Sequence, residues 1–403
     1  NAPFETHQWS ETTGYQPTQS DLVLQFHPWW EAARRHVLDG RLPLIADEIG
    51  GGLPLLANGQ TGLWAPVMLP VWALGVERGT TVMALWKIEL AGLGAFLFFS
   101  SWRLRWRAAA LGGLAFACGA YQVAWLLVPL SWVTASLPWI WWLVKIVLKR
   151  TSGWRLVSTA GLVCGWLLGC GLHPETAAVV LGSAFMAGLI FHPGRWQRVV
   201  AVAALMVVVA LVMAWPKVGY IKASARIEVT AEQHPNREGP PLLWKGLAAR
   251  QLALPAVNGH PGRGDWRAPF QYAPAATGVG GLVLAAIAIG RVRRRHRRLW
   301  WAALGCLGVA AVLFFRVPPL DWLLVRFPPF DRMTLARFAA LVPWGLAVWA
   351  ALAADGALWG RRRRWGWVVA PAGLLFLAVF SSPLELAAAD HGLVLLTVAA
   401  AAA

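Results

Sequence analysis

Two carboxylates stand next to long apolar stretches of this sequence. Asp21 precedes an amphipathic segment, and Glu175 follows a proline at the start of an apolar block. A carboxylate at such a position could accept a proton from a hydroxyl nucleophile, or bind a metal that holds a phosphate. Each also has a structural interpretation, because Asp is a preferred helix N-cap and Glu in a first turn complements the helix dipole. Both interpretations stay open, and the two carboxylates could form an acidic pair.

Basic and polar side chains that suit an anionic ligand occur in the same segments. Arginine binds phosphate through two N–H groups at once, whereas lysine acts as a point charge. Arg332 and Arg337 are the strongest basic candidates, because they lead directly into an apolar block. The alternative for each basic residue is anchoring at a membrane surface. The predicted binding residues are His27, Arg34, Arg35, Asn58, Gln60, His173, Lys222, Arg226, Arg332 and Arg337, with Lys217 as a further basic neighbour.

Lys87 and Glu89 are ionisable residues inside the first apolar block. They could reach the membrane surface, pair with one another or serve a function. The Gly50-Gly51-Gly52 run predicts a tight turn rather than a phosphate-binding loop, because no Gly-Lys-Ser/Thr follows it. The four cysteines lie in apolar blocks with no metal or disulfide spacing, so we interpret them as small core residues.

The composition indicates a membrane protein built from helices. The chain of 403 residues is 58% hydrophobic and only 14% charged, with a mean hydropathy of +0.53. A soluble domain carries about a quarter charged residues. Apolar blocks of bilayer-spanning length recur, and alternating strand patterns of a barrel are absent. We therefore predict an all-α polytopic membrane protein.

The net charge of +17 does not indicate nucleic-acid binding. Arginines and lysines concentrate in short loops between apolar blocks, as in Arg361 to Arg364 and Arg291 to Arg298. This is the positive-inside pattern of membrane proteins, which keeps such loops in the cytoplasm. The predicted partners are therefore a lipid bilayer and its anionic lipids, and not nucleic acid.

Alternation of the basic loops places about ten spans in the chain. The predicted spans are 81–101, 108–128, 131–148, 156–172, 176–192, 198–215, 275–290, 299–315, 338–356 and 366–381. The corresponding regions are a first extracytoplasmic loop (1–80) with an interfacial helix at 22–39, a bundle of about six spans (81–215), a second extracytoplasmic loop (216–274), about four further spans (275–381) and a C-terminal segment (382–403).

This topology brings the candidate residues to one face of the membrane. The first loop, the His173 to Thr176 turn, the 216–274 loop and the segment from Pro318 to Arg337 all fall on the extracytoplasmic side. The chain begins with Asn and ends in a run of alanines. We expect both ends to be incomplete, with a transmembrane helix before residue 1.

The stretch from Asp21 to Pro66 resembles the first extracytoplasmic loop of the YfhO-type bacterial membrane proteins, which belong to the GT-C glycosyltransferase superfamily. The family pattern has D-x-x-x-Q-x-x-P-W, then G-R-x-P-L, then G-G-G-x-P-x-x-A-N-x-Q and a later proline. The matching residues are Asp21, Gln25, Pro28, Trp29, Gly40, Arg41, Pro43, Leu44, Gly50, Gly51, Gly52, Pro54, Ala57, Asn58, Gln60 and Pro66. The turn at His173 and the segment from Pro329 to Phe338 resemble later family motifs. Ile45-Ala46-Asp47 departs from the family's W-N-P.

The resemblance implies a GT-C-like fold in the bacterial inner membrane, with its active face outside the cytoplasm. Such enzymes transfer a sugar from a polyprenyl-phosphate carrier to an extracytoplasmic acceptor. It also implies that Asp21 deprotonates or orients the acceptor hydroxyl, and that outer Arg and Lys residues stabilise the leaving phosphate. No metal ligand is assigned, and the need for a divalent cation stays open.

Two other functions are compatible with the sequence. A lipid or glycan transporter predicts a polar path through the membrane or inverted repeats. A non-catalytic subunit predicts an apolar flank that contacts a membrane-protein partner and no cavity at Asp21.

Overall fold

The computed structural model describes residues 21–128, 130–149, 152–171, 174–223, 294–314 and 335–358. This part of the chain is mostly helical, which confirms the predicted all-α class. The helices are α1 (His27–Leu38), α2 (Leu69–Leu74), α3 (Val76–Ser101), α4 (Trp106–Ala117), α5 (Ala120–Ala124), α6 (Leu130–Ala135), α7 (Leu137–Val147), α8 (Trp154–Gly169), α9 (Pro174–Phe191), α10 (Trp196–Ala223), α11 (Arg297–Leu313) and α12 (Leu341–Ala353). Short 3₁₀ turns at Pro66–Met68, Pro193–Arg195, Arg294–His296 and Leu335–Ala340 and π-helical turns at Leu22–Phe26 and Ala354–Leu358 complete the helical elements.

Three helices within these ranges are long and apolar enough to cross a bilayer: Val76–Ser101, Pro193–Lys217 and Leu335–Gly356. They differ in how far other parts of the protein cover them. The apolar part of Leu335–Gly356 is 94% buried inside the protein, and that of Pro193–Lys217 is only 28% buried. The third is therefore the central helix of the bundle, and the second exposes an apolar surface suited to lipid. Leu137–Val147 and Glu175–Phe191 are shorter apolar helices.

The centre of the bundle is a cluster of aromatic rings around Trp344 of α12. Trp344 is fully buried and stacks on Phe99 at a centroid distance of 5.7 Å. Phe116 and Trp141 approach the same ring edge-on, at 5.0 and 5.3 Å. Each such pair contributes about 0.5–1.5 kcal/mol beyond its buried area.

Helices α8 and α10 pack through a stripe of glycines four residues apart. A Cβ atom at Gly161 would lie 2.7 Å from Cβ of Leu205, and one at Gly165 would lie 2.6 Å from Cβ of Val209. Gly169 continues the stripe against Met213. Small residues at this spacing let two helix backbones approach closely, which is how helices gain packing energy in lipid.

One end of the bundle, here called the basic end, is held by cations on helix C-termini. Arg298 donates to the carbonyl of Phe191, the last residue of α9, at 2.7 Å. Arg198 donates to Val147, the last residue of α7, at 3.0 Å. Lys145 donates to the carbonyl of Ser101 at the end of α3. These carbonyls lack helical partners, so each cation satisfies an acceptor and complements the helix dipole.

A buried carboxylate joins further elements at the basic end. Asp355 is 1% exposed and accepts a hydrogen bond of 2.9 Å from the backbone N–H of Arg105, just before α4. Its other oxygen lies 3.5 Å from Arg295. The basic residues between the apolar blocks therefore meet at one end of the helices, next to the end of α12. They include Arg103, Arg105, Lys149, Arg198 and, from the predicted Arg291 to Arg298 loop, Arg295 and Arg298.

The opposite end, here called the loop end, carries the first loop. Pro28 sits in the first turn of α1, and Gly40 follows its end with a φ of 71°, as the sequence predicts. Ile45–Ala46 pairs antiparallel with Leu53–Pro54, and the triple glycine closes this hairpin with φ values of 58°, 79° and 114°. Side chains other than glycine rarely adopt these angles, which explains the glycine run.

Contacts fix the first loop on the helix ends. Trp30 of α1 is buried and donates through Nε1 to the Thr61 carbonyl at 2.8 Å. The Sγ of Cys170, just after α8, donates to the Trp64 carbonyl at 3.1 Å. The side chain of Lys217 near the end of α10 lies against Gly59. The first loop and the segment that opens the 216–274 region therefore lie together, as predicted.

Candidate functional site

A charged cluster at the loop end brings three distant segments together. The 3₁₀ turn Leu335–Ala340 packs on α9, and it carries Arg337. The guanidinium carbon of Arg337 lies 4.3 Å from the centre of the Trp125 ring, just after α5. Its Nε and Nη1 atoms are buried and have no acceptor among the residues that the structure describes. Stacking on an indole fixes the guanidinium in place and leaves its N–H groups for another partner.

Tyr121 of α5 is the next member of this cluster. It is 1% exposed, its ring centre lies 6.5 Å from that of Trp125, and its hydroxyl has no hydrogen-bond partner within the described ranges. Arg337 and Glu175 are the two charged side chains that act electrostatically on this hydroxyl. Glu175, at the start of α9, and Arg337 are therefore both near this hydroxyl, although they are 162 residues apart in the sequence.

The chemistry available here is anion binding beside a carboxylate. A buried guanidinium with unused N–H groups binds an anionic oxygen strongly, because water does not compete for it. The half-buried Glu175 carboxylate can accept a proton or a hydroxyl group in the same place. Across the described residues, no group of three or more His, Cys, Asp or Glu is arranged to hold a metal ion.

Asp21 forms no hydrogen bond or ion pair with Glu175 or Arg337 within the described part of the chain. It stands directly before the π-helical turn Leu22–Phe26, but its side chain does not cap that turn. Its Oδ1 atom instead accepts a hydrogen bond of 3.0 Å from Nε2 of Gln25, on an exposed surface. The N-cap interpretation of Asp21 is therefore wrong, and its contact is with Gln25 rather than with Glu175. The carboxylate remains accessible from solvent.

The other predicted binding residues of the first loop mostly serve the local structure. Arg34 donates to the Trp72 carbonyl at 3.2 Å and so ties α1 to α2. Arg35 forms an exposed pair with Glu31, with Nε 3.2 Å from the carboxylate oxygen. Oδ1 of Asn58 accepts from the backbone N–H of Gln60 at 3.1 Å, as in an Asx turn.

His27 joins the start of α1 to the first turns of α3. Its Nε2 atom lies 3.4 Å from Oγ1 of Thr80. Partial burial lowers the pKa of His27 below its ordinary value of about 6.5. The side chain is therefore neutral at pH 7 and does not add positive charge to the loop end.

Lys87 and Glu89 do not pair. Lys87 is 2% exposed and points into the bundle, where Nζ donates to the carbonyls of Leu126 and Val128 and to Oγ of Ser131. Glu89, two residues further along α3, is exposed. The Lys87 ammonium thus satisfies backbone carbonyls in the non-helical segment between α5 and α6. These hydrogen bonds indicate a structural role for Lys87.

A small apolar pocket of about 10 Å³, close to the space that one water molecule needs, lies beside Lys87. Trp30 and Met68 from the first loop, Met83 of α3 and Trp132 of α6 contribute to its wall. Two features therefore flank the non-helical segment between α5 and α6. Arg337 stacks on Trp125 at its start, and Trp132 at its other side lines the pocket.

The sequence did not single out Tyr121 or Trp125, because both lie inside a block predicted as one uninterrupted span, 108–128. The structure ends α4 at Ala117 and begins α5 at Ala120. Gly119 and Pro129 are the signals that could have located this interruption. His173, Arg226 and Arg332 lie outside the described residues, as do the predicted spans 275–290 and 366–381, and Lys222 is described only as part of the α10 backbone.

Searches of protein-family models, curated proteins and solved structures find no match to this chain.

Proposed function

We propose that this protein is a membrane glycosyltransferase of the GT-C type, related to the YfhO-type proteins. It takes a sugar from a polyprenyl-phosphate donor and passes it to an acceptor on the outer side of the bacterial inner membrane. The observation that carries the proposal is the partly buried Arg337 side chain at the loop end, whose buried Nε and Nη1 atoms have no acceptor within the described ranges. A lipid-linked phosphate supplies such an acceptor at the membrane surface.

The proposed orientation follows from charge. The basic end faces the cytoplasm, because loops rich in arginine and lysine are retained there. The loop end, with Asp21, Glu175 and Arg337, then faces the outside. The chain crosses the membrane about ten times, with the predicted spans 275–290 and 366–381 completing the helices described above.

In the proposed reaction, the acceptor oxygen forms a bond to the anomeric carbon of the sugar, and the bond from that carbon to the phosphate oxygen breaks. Asp21 takes the proton of the acceptor hydroxyl, since its carboxylate is exposed at the edge of the first loop. Arg337 stabilises the negative charge that develops on the leaving phosphate. Glu175 lies on the same side as Arg337 and orients the donor sugar through its hydroxyl groups.

The test uses the full-length protein in cells that lack the endogenous copy. Arg337→Gln and Asp21→Asn are compared with two matched controls, Arg107→Gln and Glu31→Gln. Arg107 also lies over an indole, that of Trp106 at 5.3 Å, but at the basic end. Glu31 is an acidic residue of the first loop whose exposed pair with Arg35 is of little energetic value.

Surface glycans are read by mass spectrometry, and membrane protein levels by immunoblot. We expect both site variants to lose one sugar modification at normal protein levels, and both controls to keep it. Unchanged glycans in the two site variants and in the deletion strain would refute the transferase function.

One observation favours a second function, that of a non-catalytic membrane subunit. Glu89 is exposed near the middle of α3, on a stripe with Leu85 and Leu93, which are 58% and 48% exposed. A carboxylate among lipid-facing side chains is costly unless it is protonated or paired with a partner. A deletion strain with unchanged glycans, together with a Glu89→Leu variant that releases a co-purifying membrane protein, would favour this function.

A further inference from the structure

We propose that the hydroxyl of Tyr121 donates a hydrogen bond to the ligand phosphate that Arg337 neutralises, which makes Tyr121 a substrate-binding residue. This inference rests on the proposed function and adds a residue that the sequence motifs do not contain. Tyr121 lies in the short helix α5, which non-helical residues separate from α4 and from α6. It is not in the first loop, where the family resemblance is concentrated.

The Tyr121 hydroxyl is buried and unpartnered within the described ranges. Tyrosine buried in an apolar bundle normally finds a hydrogen-bond partner for its O–H group. The Tyr121 side chain is 1% exposed, and its hydroxyl has no partner within the part of the chain that the structure describes. Phenylalanine would pack equally well there, so an unpartnered hydroxyl at this depth points to a ligand that binds it.

Arg337, near this hydroxyl, also has polar groups that are unpartnered among the described residues. The Nε and Nη1 atoms of Arg337 are also buried and without acceptors in the described ranges. Neither the Tyr121 hydroxyl nor the Glu175 carboxylate accepts from these N–H groups, so they are available to an oxygen acceptor from a ligand. Trp125 links the two side chains, because its ring lies 6.5 Å from the Tyr121 ring and 4.3 Å from the Arg337 guanidinium.

The charges near the Tyr121 hydroxyl indicate the chemical class of the ligand. Arg337 carries the positive charge that acts on this hydroxyl, and Glu175 carries the negative one. A phosphate has several oxygens in a tetrahedral arrangement, so it can accept from an arginine and from a hydroxyl in different directions. A phosphate with a long apolar tail also suits a site at the end of an apolar bundle, where the tail stays in lipid.

Tyr121→Phe is the informative variant, because it removes one oxygen atom and keeps the ring. Thr159→Val is the matched control. It removes a hydroxyl that donates only to the Arg155 carbonyl on the exposed face of α8. The purified full-length proteins in detergent are titrated with a polyprenyl phosphate and, separately, with the uncharged polyprenol, and binding is followed by native mass spectrometry.

We expect Tyr121→Phe to weaken polyprenyl-phosphate binding about tenfold or more, as is typical for a lost hydrogen bond to a charged group. Polyprenol binding and the control variant should be unchanged. The unfolding temperature of ligand-free Tyr121→Phe should equal that of the wild type or exceed it, because the hydroxyl has no structural partner to lose.

The outcomes separate this inference from the proposed function. If the wild type does not bind polyprenyl phosphate in preference to polyprenol, the proposed function fails. If the wild type binds it and Tyr121→Phe binds equally well, only the role of Tyr121 is refuted. An equal loss of both probes, or a lower unfolding temperature, would assign Tyr121 to packing and overturn the inference.

Discussion

Replacing Lys87 with methionine removes the buried cation of α3 while keeping a long, unbranched side chain of high helix propensity. In the wild type, Nζ donates to Val128 O at 3.0 Å, to Ser131 Oγ at 2.9 Å and to the Leu126 carbonyl. The Val128 carbonyl would keep a donor, because Ser131 Oγ also lies 3.1 Å from it. The Leu126 carbonyl has no other donor among the hydrogen bonds described here, so the substitution leaves it unsatisfied.

The size of the effect follows from these contacts. An unsatisfied buried carbonyl costs about 1–3 kcal/mol, and hydrogen bonds from a charged donor contribute about 1.5–3 kcal/mol each. Release of the ammonium from the protein interior offsets part of the loss, since its desolvation costs several kcal/mol. We therefore expect Lys87→Met to lower the free energy of unfolding by about 2–4 kcal/mol.

The assay is unfolding in mild detergent with increasing sodium dodecyl sulfate, followed by tryptophan fluorescence. Lys149→Met is the control, because Lys149 is exposed at the basic end. A change of less than ~1 kcal/mol in Lys87→Met, combined with loss of glycan transfer, would refute the structural role and assign Lys87 to catalysis. A similar loss of stability in both variants would show that the assay responds to lysine removal in general.

Two further predictions concern the first loop. Gly51→Ala should lower the free energy of unfolding by about 1–2 kcal/mol, because Gly51 has a φ of 79°. Gly182→Ala is the control, because a Cβ at Gly182 of α9 would point into open space, and the same unfolding assay should find this variant as stable as the wild type or more stable. Equal losses of stability at both positions would refute the claim that the positive φ of Gly51 requires glycine. The wild type should lose stability as the pH falls through about 6.5, because burial lowers the pKa of His27 and the unfolded chain takes up the proton first. His27→Gln should lack this part of the pH dependence between pH 7.5 and 5, and identical slopes in the two proteins would refute it.

Helix positions were predictable where long apolar blocks alternate with arginine-rich loops. The predicted span 156–172 corresponds to Trp154–Gly169, and 176–192 to Pro174–Phe191. The first span begins five residues earlier than predicted, at Val76, because Gly75 ends the preceding helix with a φ of 82°. Hydropathy depends only on composition, and Glu77 and Arg78 make the first turn of α3 too polar to be counted as part of the span.

Breaks inside apolar blocks were not predictable from hydropathy. The predicted spans 108–128 and 131–148 are each divided into two helices, at Cys118-Gly119 and at Ser136. One or two small residues hardly change the mean hydropathy of a block of this length. The backbone acceptors freed between α5 and α6 are satisfied by Lys87, a contact over about 40 residues that no local pattern encodes.

The candidate site was predictable in part. Alternation of the basic loops placed Glu175 and Arg337 at the same end, and they do act on one hydroxyl. That Asp21 accepts a hydrogen bond from Gln25 and does not pair with Glu175 could not be inferred from the alternation of the basic loops. Tyr121 became visible only through its burial and its missing partner, which are properties of the packed structure and not of the sequence.

The cations of the basic end have two roles, one during membrane insertion and one after the helices have packed. In the proposed orientation, the charge of Arg298 helps to hold its loop in the cytoplasm during insertion into the membrane. Its carbonyl partner, Phe191, lies 107 residues earlier in the chain, so the hydrogen bond forms only after α9 and α11 have come together. A glutamine at this position would weaken a step of assembly that follows insertion, and a lysine would keep the orientation signal while loosening the finished bundle.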